Sequence, residues 1–320
     1  MSVGTRKLSL RSVLMSIPTV VWALLLMIIF FARSTPAFFT LSNALNLFRQ
    51  GSILMTLCMG VIVVSISGGI ELSVGAVMTL AGMVMAWTLV NWQVPIPVAM
   101  LLALVVGAIC GFLNGIFVSK MGIPSFIATL GTQGMTIGLS LVINNGYVIW
   151  GLPEALDRIG NGMLFGIPIP IWISILAFIS SFVLLEFTPF GTYVYAIGGN
   201  EDALKLAGKP TWWYKILVYA YAGLMSGLAA IIITSRNMAA QPTVGLGMEF
   251  EAFSAVVLGG CFVPGRGTVI GTVLGVLFIL VLRNGLNVMG IPTYYQLAII
   301  GVVLISAIIM SILVERRLHG

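Results

Sequence analysis

Apolar runs long enough to cross a bilayer recur along the whole of this 320-residue chain, and no other feature limits its fold so severely. A hydrocarbon core of ~30 Å takes about 20 helical residues. In lipid every backbone N–H and C=O must be satisfied within the protein, which leaves helices or closed barrels. Hydropathy places spans near 13–32, 51–67, 72–91, 95–118, 124–144, 169–187, 213–234, 250–261, 268–283 and 294–314. These predict an all-α integral membrane protein with about ten transmembrane helices in a single transmembrane domain spanning 1–320. Only 8% of the residues are charged and the mean hydropathy is +1.13, whereas a water-facing domain carries about 25% charged residues. A soluble fold is excluded.

Two places interrupt the pattern. Ser67, Gly68, Gly69, Ile70 and Glu71 separate 51–67 from 72–91, so the pair can equally be read as one broken helix. The run 250–261 is short, and Gly259, Gly260, Pro264, Gly265 and Gly267 crowd its end. Irregular backbone at membrane depth is tolerated only where protein or a water-filled cavity shields it. The first run follows Arg6, Lys7 and Arg11 as a signal peptide would, but a secretory core is only about 7–15 residues long. It reads as a retained span.

The net charge of +6 does not mark a nucleic-acid surface, because its fifteen Lys and Arg are scattered between apolar runs. Their placement sets topology. With both termini in the cytoplasm, Arg6, Lys7, Arg11, Lys120, Lys205, Lys209, Lys215, Arg266, Arg316 and Arg317 lie inside, ten against five. Glu154, Asp157, Glu249 and Glu251 then fall outside or near the outer edge.

Asn114–Gly115 followed by Met121-Gly-Ile-Pro124 recurs as Asn284–Gly285 followed by Met289-Gly-Ile-Pro292. If this trace is not chance, it divides the chain into half-repeats of roughly 13–144 and 169–314, inverted because five spans each is an odd number. Gly107, Gly111 and Gly115, and likewise Gly267, Gly271 and Gly275, repeat every four positions. Such seams let helix backbones approach closely, and helix packing is their favoured reading.

Chemistry by the chain itself finds no support. The stretch Gly260–Thr268 places Arg266 and Gly267 where a phosphate loop needs Lys followed by Ser or Thr, so the chain is not expected to hydrolyse ATP. Its single histidine, His319, lies in the tail beyond the last predicted span, so neither a HExxH zinc site, which needs two, nor a Ser-His-Asp triad is expected. Cys58, Cys110 and Cys261 lack metal or redox spacing and read as packing residues.

A polar loop over 188–212 is the distinctive element on the predicted cytoplasmic side. Asn200 suits an N-cap, Glu201 and Asp202 a first helical turn, and Gly208 a stop before Pro210. The short helix so defined is either an interfacial tether or a docking helix for a cytoplasmic partner.

Five motifs in order, Ser67-Gly-Gly-Ile-Glu-Leu-Ser-Val-Gly-Ala76, Tyr195-Ala-Ile-Gly-Gly-Asn-Glu201, Gln241–Pro242, Ala255-Val-Val-Leu-Gly-Gly260 and Asn284-Gly-Leu-Asn287, together resemble the ribose-type branch of ABC sugar importer permeases. The family usually has Asp where Glu71 stands and a Gly-Gly-rich turn at Pro264–Gly265–Arg266, which leaves the substrate branch open. The resemblance implies a multi-pass subunit of a bacterial inner membrane with a second permease subunit, identical or sister. It also implies a cytoplasmic ABC ATPase that uses ATP and Mg, and an extracytoplasmic sugar-binding protein that largely sets selectivity. No cofactor is bound by the chain itself, and lipid is its only other surroundings. The helix of Asn200, Glu201, Ala203, Lys205, Leu206, Ala207 and Gly208 becomes the coupling helix, with Glu201 and Lys205 as polar contacts and Ala203, Leu206 and Ala207 as apolar anchor.

Gly68, Gly69, Glu71, Ser73, Asn114, Asn284 and Asn287 are the groups most available to line a path or gate. Each can instead cap or pack a helix, and Glu71 is the least ordinary, since an intramembrane carboxylate is seldom idle. The rival readings are a branched-chain amino-acid permease and an ion-coupled transporter; the poverty of intramembrane acids counts against the latter.

Overall fold

The computed structural model describes residues 19–261, 263–292, 295–296, 298–303, 305–306 and 309. The beginning of the first predicted span, the end of the last, and the charged residues Arg6, Lys7, Arg11, Arg316 and Arg317 lie outside the described residues.

The chain order is α1 (Thr19–Ser34), α2 (Leu41–Ile66), α3 (Val74–Asn91), α4 (Ile96–Ser119) and α5 (Ser125–Ile143). A connecting segment follows, with α6 (Asp157–Gly160) and a hairpin of β1 (Met163–Leu164) and β2 (Ile167–Pro168). Then come α7 (Ile169–Glu186), α8 (Pro189–Leu206), α9 (Thr211–Asn237), α10 (Met248–Leu258) and α11 (Val269–Val288). Among the described residues seven helices, α2, α3, α4, α5, α7, α9 and α11, are long and apolar enough to cross a membrane. The protein is thus an all-α, multi-pass membrane protein.

Helix starts follow local chemistry. Thr40, Thr188 and Thr268 each accept a hydrogen bond from the backbone N–H three residues on, at Asn43, Gly191 and Gly271, the N-cap arrangement that satisfies an otherwise orphaned donor. Thr40 explains why α2 starts ten residues before the expected position: Asn43, Asn46, Arg49 and Gln50 lower the hydropathy of its first turns without ending the helix. The interruption at 67–71 separates two helices, as one of the two readings had it.

Helices α2, α3 and α9 form the buried centre, while α4, α5 and α7 turn most of their surface outward, exposing Leu101, Ile127 and Leu176. In lipid the outer surface is as apolar as the core, so close packing has to specify the interior. The α4–α9 crossing shows how. A Cβ at Gly107 would meet the Gly223 carbonyl, one at Gly111 the Tyr219 carbonyl, and one at Gly115 would stand 2.6 Å from Ile216 Cα. The second seam works alike: Gly271 lies against Gly259 and Gly275 against the Ala255 carbonyl, joining α11 to α10, while Gly267 precedes the helix and packs on Cys261. The packing reading of both seams describes what they do. In the repeated Met-Gly-Ile-Pro the glycine is left-handed in both copies, Gly122 at φ +70° and Gly290 at φ +73°, each after a helix end.

Candidate translocation and coupling site

At the break between α2 and α3, protein groups take up several of the backbone groups that leave the helices. Gly68, at φ +85°, ends α2 with paired hydrogen bonds from Gly68 N–H to the Ser65 carbonyl at 3.0 Å and from Gly69 N–H to the Val64 carbonyl at 3.1 Å, a Schellman stop that glycine favours. The free Ile66 carbonyl accepts from Gly265 N–H at 2.9 Å. From α5, Ser125 Oγ accepts the Ile70 N–H at 3.1 Å and Thr129 Oγ1 donates to the Ile70 carbonyl at 3.3 Å. Protein groups here do the satisfying that water would do elsewhere.

Glu71, Ser73 and Asn114, singled out separately in the sequence, come together in one buried network. Glu71 Oε1 accepts from Ser73 N–H and Ser73 Oγ, both at 2.6 Å. Asn114 Nδ2 donates to Glu71 Oε2 at 3.2 Å and to Ser73 Oγ at 3.0 Å, and Thr132 Oγ1 donates to Asn114 Oδ1. All four residues are buried. Asn114→Ala leaves a Glu71 oxygen and the Thr132 hydroxyl without these partners, and an orphaned buried polar group costs about 1–3 kcal/mol. Thermal unfolding of the detergent-solubilised variant is expected to show that loss; an unchanged transition would mean that Asn114 holds nothing.

Asn284 and Asn287 do not join this network. Asn284 exchanges two hydrogen bonds of 2.9 Å with Asn43, tying α11 to α2, and Asn287 Oδ1 accepts from Gln296 at 2.8 Å. Gly69 lies against the Tyr219 hydroxyl and Val64, and Gly68 against Pro264 and Gly198. A second polar group was not found from the sequence: Gln133 Nε2 donates to Glu249 Oε1 at 2.6 Å across 116 positions of sequence. Glu249 was visible only as an acid near the outer edge, and Thr132 and Gln133 had no signal beyond polarity within an apolar run.

The expected coupling element is more helical than its composition suggested. Thr188 caps a first segment starting at Pro189, and the helix continues to Asn200, whose backbone is extended at φ −161°, ψ 90°. There a second segment begins with Asn200 Oδ1 accepting from Ala203 N–H at 3.0 Å, the cap read from the sequence. It stops at Gly208, φ +74°, with hydrogen bonds from Gly208 N–H to the Lys205 carbonyl and Lys209 N–H to the Leu204 carbonyl. Ala203, Lys205, Leu206, Ala207 and Gly208 are exposed, Leu206 at 90%.

Glu201 binds this short helix to the start of α9. It pairs with Lys215, accepts from Thr211 Oγ1 at 3.2 Å and lies 3.3 Å from Lys205 Nζ. Partial burial pushes its carboxyl up, but hydrogen bonds and charge from Lys215 and Lys205 outweigh that and hold it below the usual carboxylate range. A depressed folded-state pKa stabilises above the unfolded value and is lost as pH falls through the folded one. Protection of the 203–208 amides, taken against the intrinsic exchange rate at each pH, is therefore expected to fall once the pH drops below about 4, near the ordinary glutamate value. Glu201→Gln should remove that step; a step persisting in the variant would assign it to another group.

The segment that imitated a phosphate loop has a structural task. Gly265 packs on Gly198 and Gly199, and Tyr195 donates to the Gly267 carbonyl at 3.0 Å. The first half of α8, the 263–267 turn and the α2–α3 break therefore meet in one place.

A buried intramembrane break joined by direct contact to a helix carrying an exposed apolar side chain is the anatomy of a membrane transport subunit. The sequence pattern of the family described as branched-chain amino acid transport system / permease component matches residues 43–308, and the chain belongs to that family. It is 41% identical over 291 residues to the ribose import permease protein of Bacillus subtilis (strain 168), covering 90% of each chain. It is 38% identical over 294 residues to the ribose import permease protein of Escherichia coli (strain K12), covering 90% of this chain and 91% of that one. To the D-allose transport system permease protein of the same strain it is 32% identical over 289 residues, covering 90% and 89%. No solved structure matches the chain. The resemblance to ribose-type permeases drawn from five motifs is borne out.

Proposed function

We propose that the protein is the membrane-spanning permease subunit of an ATP-binding-cassette importer that carries a monosaccharide, with ribose the first candidate. Identity of 38–41% to ribose permeases over 90% of the chain carries this reading. On it, a cytoplasmic ABC ATPase uses ATP and Mg, an extracytoplasmic binding protein delivers the sugar, and a second permease subunit, identical or sister, completes the pore. The chain supplies a single permease domain of ten spans in two inverted halves, set in a bacterial inner membrane with both termini in the cytoplasm.

The coupling helix is the segment Asn200–Gly208, with Leu206, Ala203 and Ala207 seated in the ATPase and Glu201 and Lys205 at the polar edge. Gly198 lies against Gly68, three residues before Glu71. A push on the short helix then reaches the break through main-chain contacts in which no flexible side chain intervenes. Gly68, Gly69, Glu71, Ser73 and Asn114 form the gate on this reading, and Asn284 and Asn287 brace α11 at the far end of α2, where Asn284 pairs with Asn43. Differential contact in outward- and inward-facing states, with no covalent chemistry by the permease, accounts for transport.

The description of the family favours a second substrate, a branched-chain amino acid. Proteoliposomes holding the permease, its ATPase and its binding protein separate the two. ATP-dependent uptake of labelled ribose, undiminished by excess leucine, is the expected result. Uptake of leucine in place of ribose would transfer the substrate to the second reading.

A further inference from the structure

Glu249 lies in the first turn of α10, an 11-residue helix entered through Gly247 at φ +88°, irregular backbone of the kind that lines cavities at membrane depth. Its carboxylate is buried at 2% exposure. Oε1 accepts from Gln133 Nε2 at 2.6 Å and from Gly247 N–H at 3.3 Å. Oε2 is buried with no hydrogen-bond partner among the described residues, and it lies where a Cβ on Gly75 would stand 2.7 Å away. Gly75 is two residues beyond Ser73, and Gln133 follows Thr132, so the free oxygen sits beside the Glu71 network.

Burying a carboxylate oxygen unpaired is costly, and intramembrane acids mark substrate pathways and relays more often than packing. Gln133 is half-buried, so it is the member of the pair that a ligand meets first, and Glu249 Oε2 becomes reachable only when the helices around it part, as alternating access requires. The pair's unused groups are mixed: an acceptor on Glu249, and the carbonyl and second N–H of the Gln133 amide. A hydroxyl both donates and accepts, so a neutral polyol or sugar satisfies all three. A cation would leave the second amide N–H without an acceptor.

Resting on the importer reading above, we infer that Gln133 and Glu249 form a hydroxyl-binding station for the sugar on its way through the membrane. The test uses the reconstituted complex of permease, ATPase and binding protein. Gln133→Cys is probed with a charged, water-soluble thiol reagent in the resting, binding-protein-docked and ATP-trapped states, with the wild-type chain as control for Cys58, Cys110 and Cys261. Gln133→Ala and Glu249→Gln are assayed for labelled ribose uptake and for binding-protein-stimulated ATP hydrolysis. The expected result is labelling of the Gln133→Cys variant above the wild-type control in at least one state, together with a tenfold or greater fall in uptake while stimulated hydrolysis stays within twofold of wild type.

Three results overturn the inference: no labelling in any state, labelling with unchanged uptake in both variants, or uptake and hydrolysis falling in parallel, which would make the pair a structural latch. Should Glu249→Gln fail to insert, Gln133→Ala and Gln133→Cys decide alone. If the wild-type complex carries no ribose, it is the importer reading that fails, and labelling still reports whether water reaches Gln133.

Discussion

Gly111→Val is expected to prevent the protein from folding in the membrane. Gly111 stands where α4 and α9 cross, and the first carbon of any side chain would press on the Tyr219 carbonyl and approach Gly223 N, at 3.0 Å. Neither is the far end of a flexible chain. Both are backbone of a 27-residue helix whose other faces pack on α2 and α3, so the helix cannot move aside without opening the centre. Overpacking a core costs about 1–3 kcal/mol and occasionally more; the upper end applies here because Val is β-branched and Gly107 and Gly115 sit in the same seam. Loss of the monodisperse peak in detergent and rapid proteolysis would register the effect. Gly131→Val provides the control, since no atom lies near its Cβ position; equal damage from both would show that the α4–α9 approach is looser than described.

Leu206→Glu is expected to abolish uptake in the reconstituted importer, by at least tenfold, while insertion and thermal stability stay as in the wild type. Leu206 is exposed and contributes little to the fold of the isolated chain, so a charge there costs the permease almost nothing. Within an apolar cleft of an ATPase the same charge would be buried unpaired, a cost of several kcal/mol. Asp202→Ala, on the same exposed turn, is expected to change uptake little. Normal transport by the Leu206 variant would remove the coupling role from this helix.

How much of this could be read from the sequence depended on whether a signal was local. Apolar runs located the long helices because hydropathy is summed over neighbours. The same averaging cost α2 its polar first turns and hid the first half of α8, whose Gly191, Gly198 and Gly199 look like loop residues. Two of them have steric roles: Gly191 lies against the Leu185 carbonyl and Gly198 against the Ile66 carbonyl, contacts made by folding and invisible beforehand. The Asn200 cap and the Gly208 stop were legible because both are written within a few residues.

Glu71 and Asn114 stood out one by one, as a carboxylate beside a break and an amide in an apolar run. That they bond to each other, with Thr132 completing the set, depends on three helices meeting. Gln133 and Glu249 are the extreme case, since neither has a local neighbour that explains it. Asn284 looked like Asn114 in its repeated motif yet pairs with Asn43, because the same dipeptide on α11 faces a different helix.

Co-purification tests the importer architecture most directly. The tagged chain is co-expressed with the ATP-hydrolysing subunit, solubilised, captured and placed in nanodiscs, and ATP hydrolysis in the eluate is measured. An ATPase that elutes with the wild-type chain in stoichiometric amount, and is lost from the Leu206→Glu variant, is the predicted result. A chain that inserts and folds but retains no ATPase under any nucleotide condition would contradict the assignment as an ABC permease.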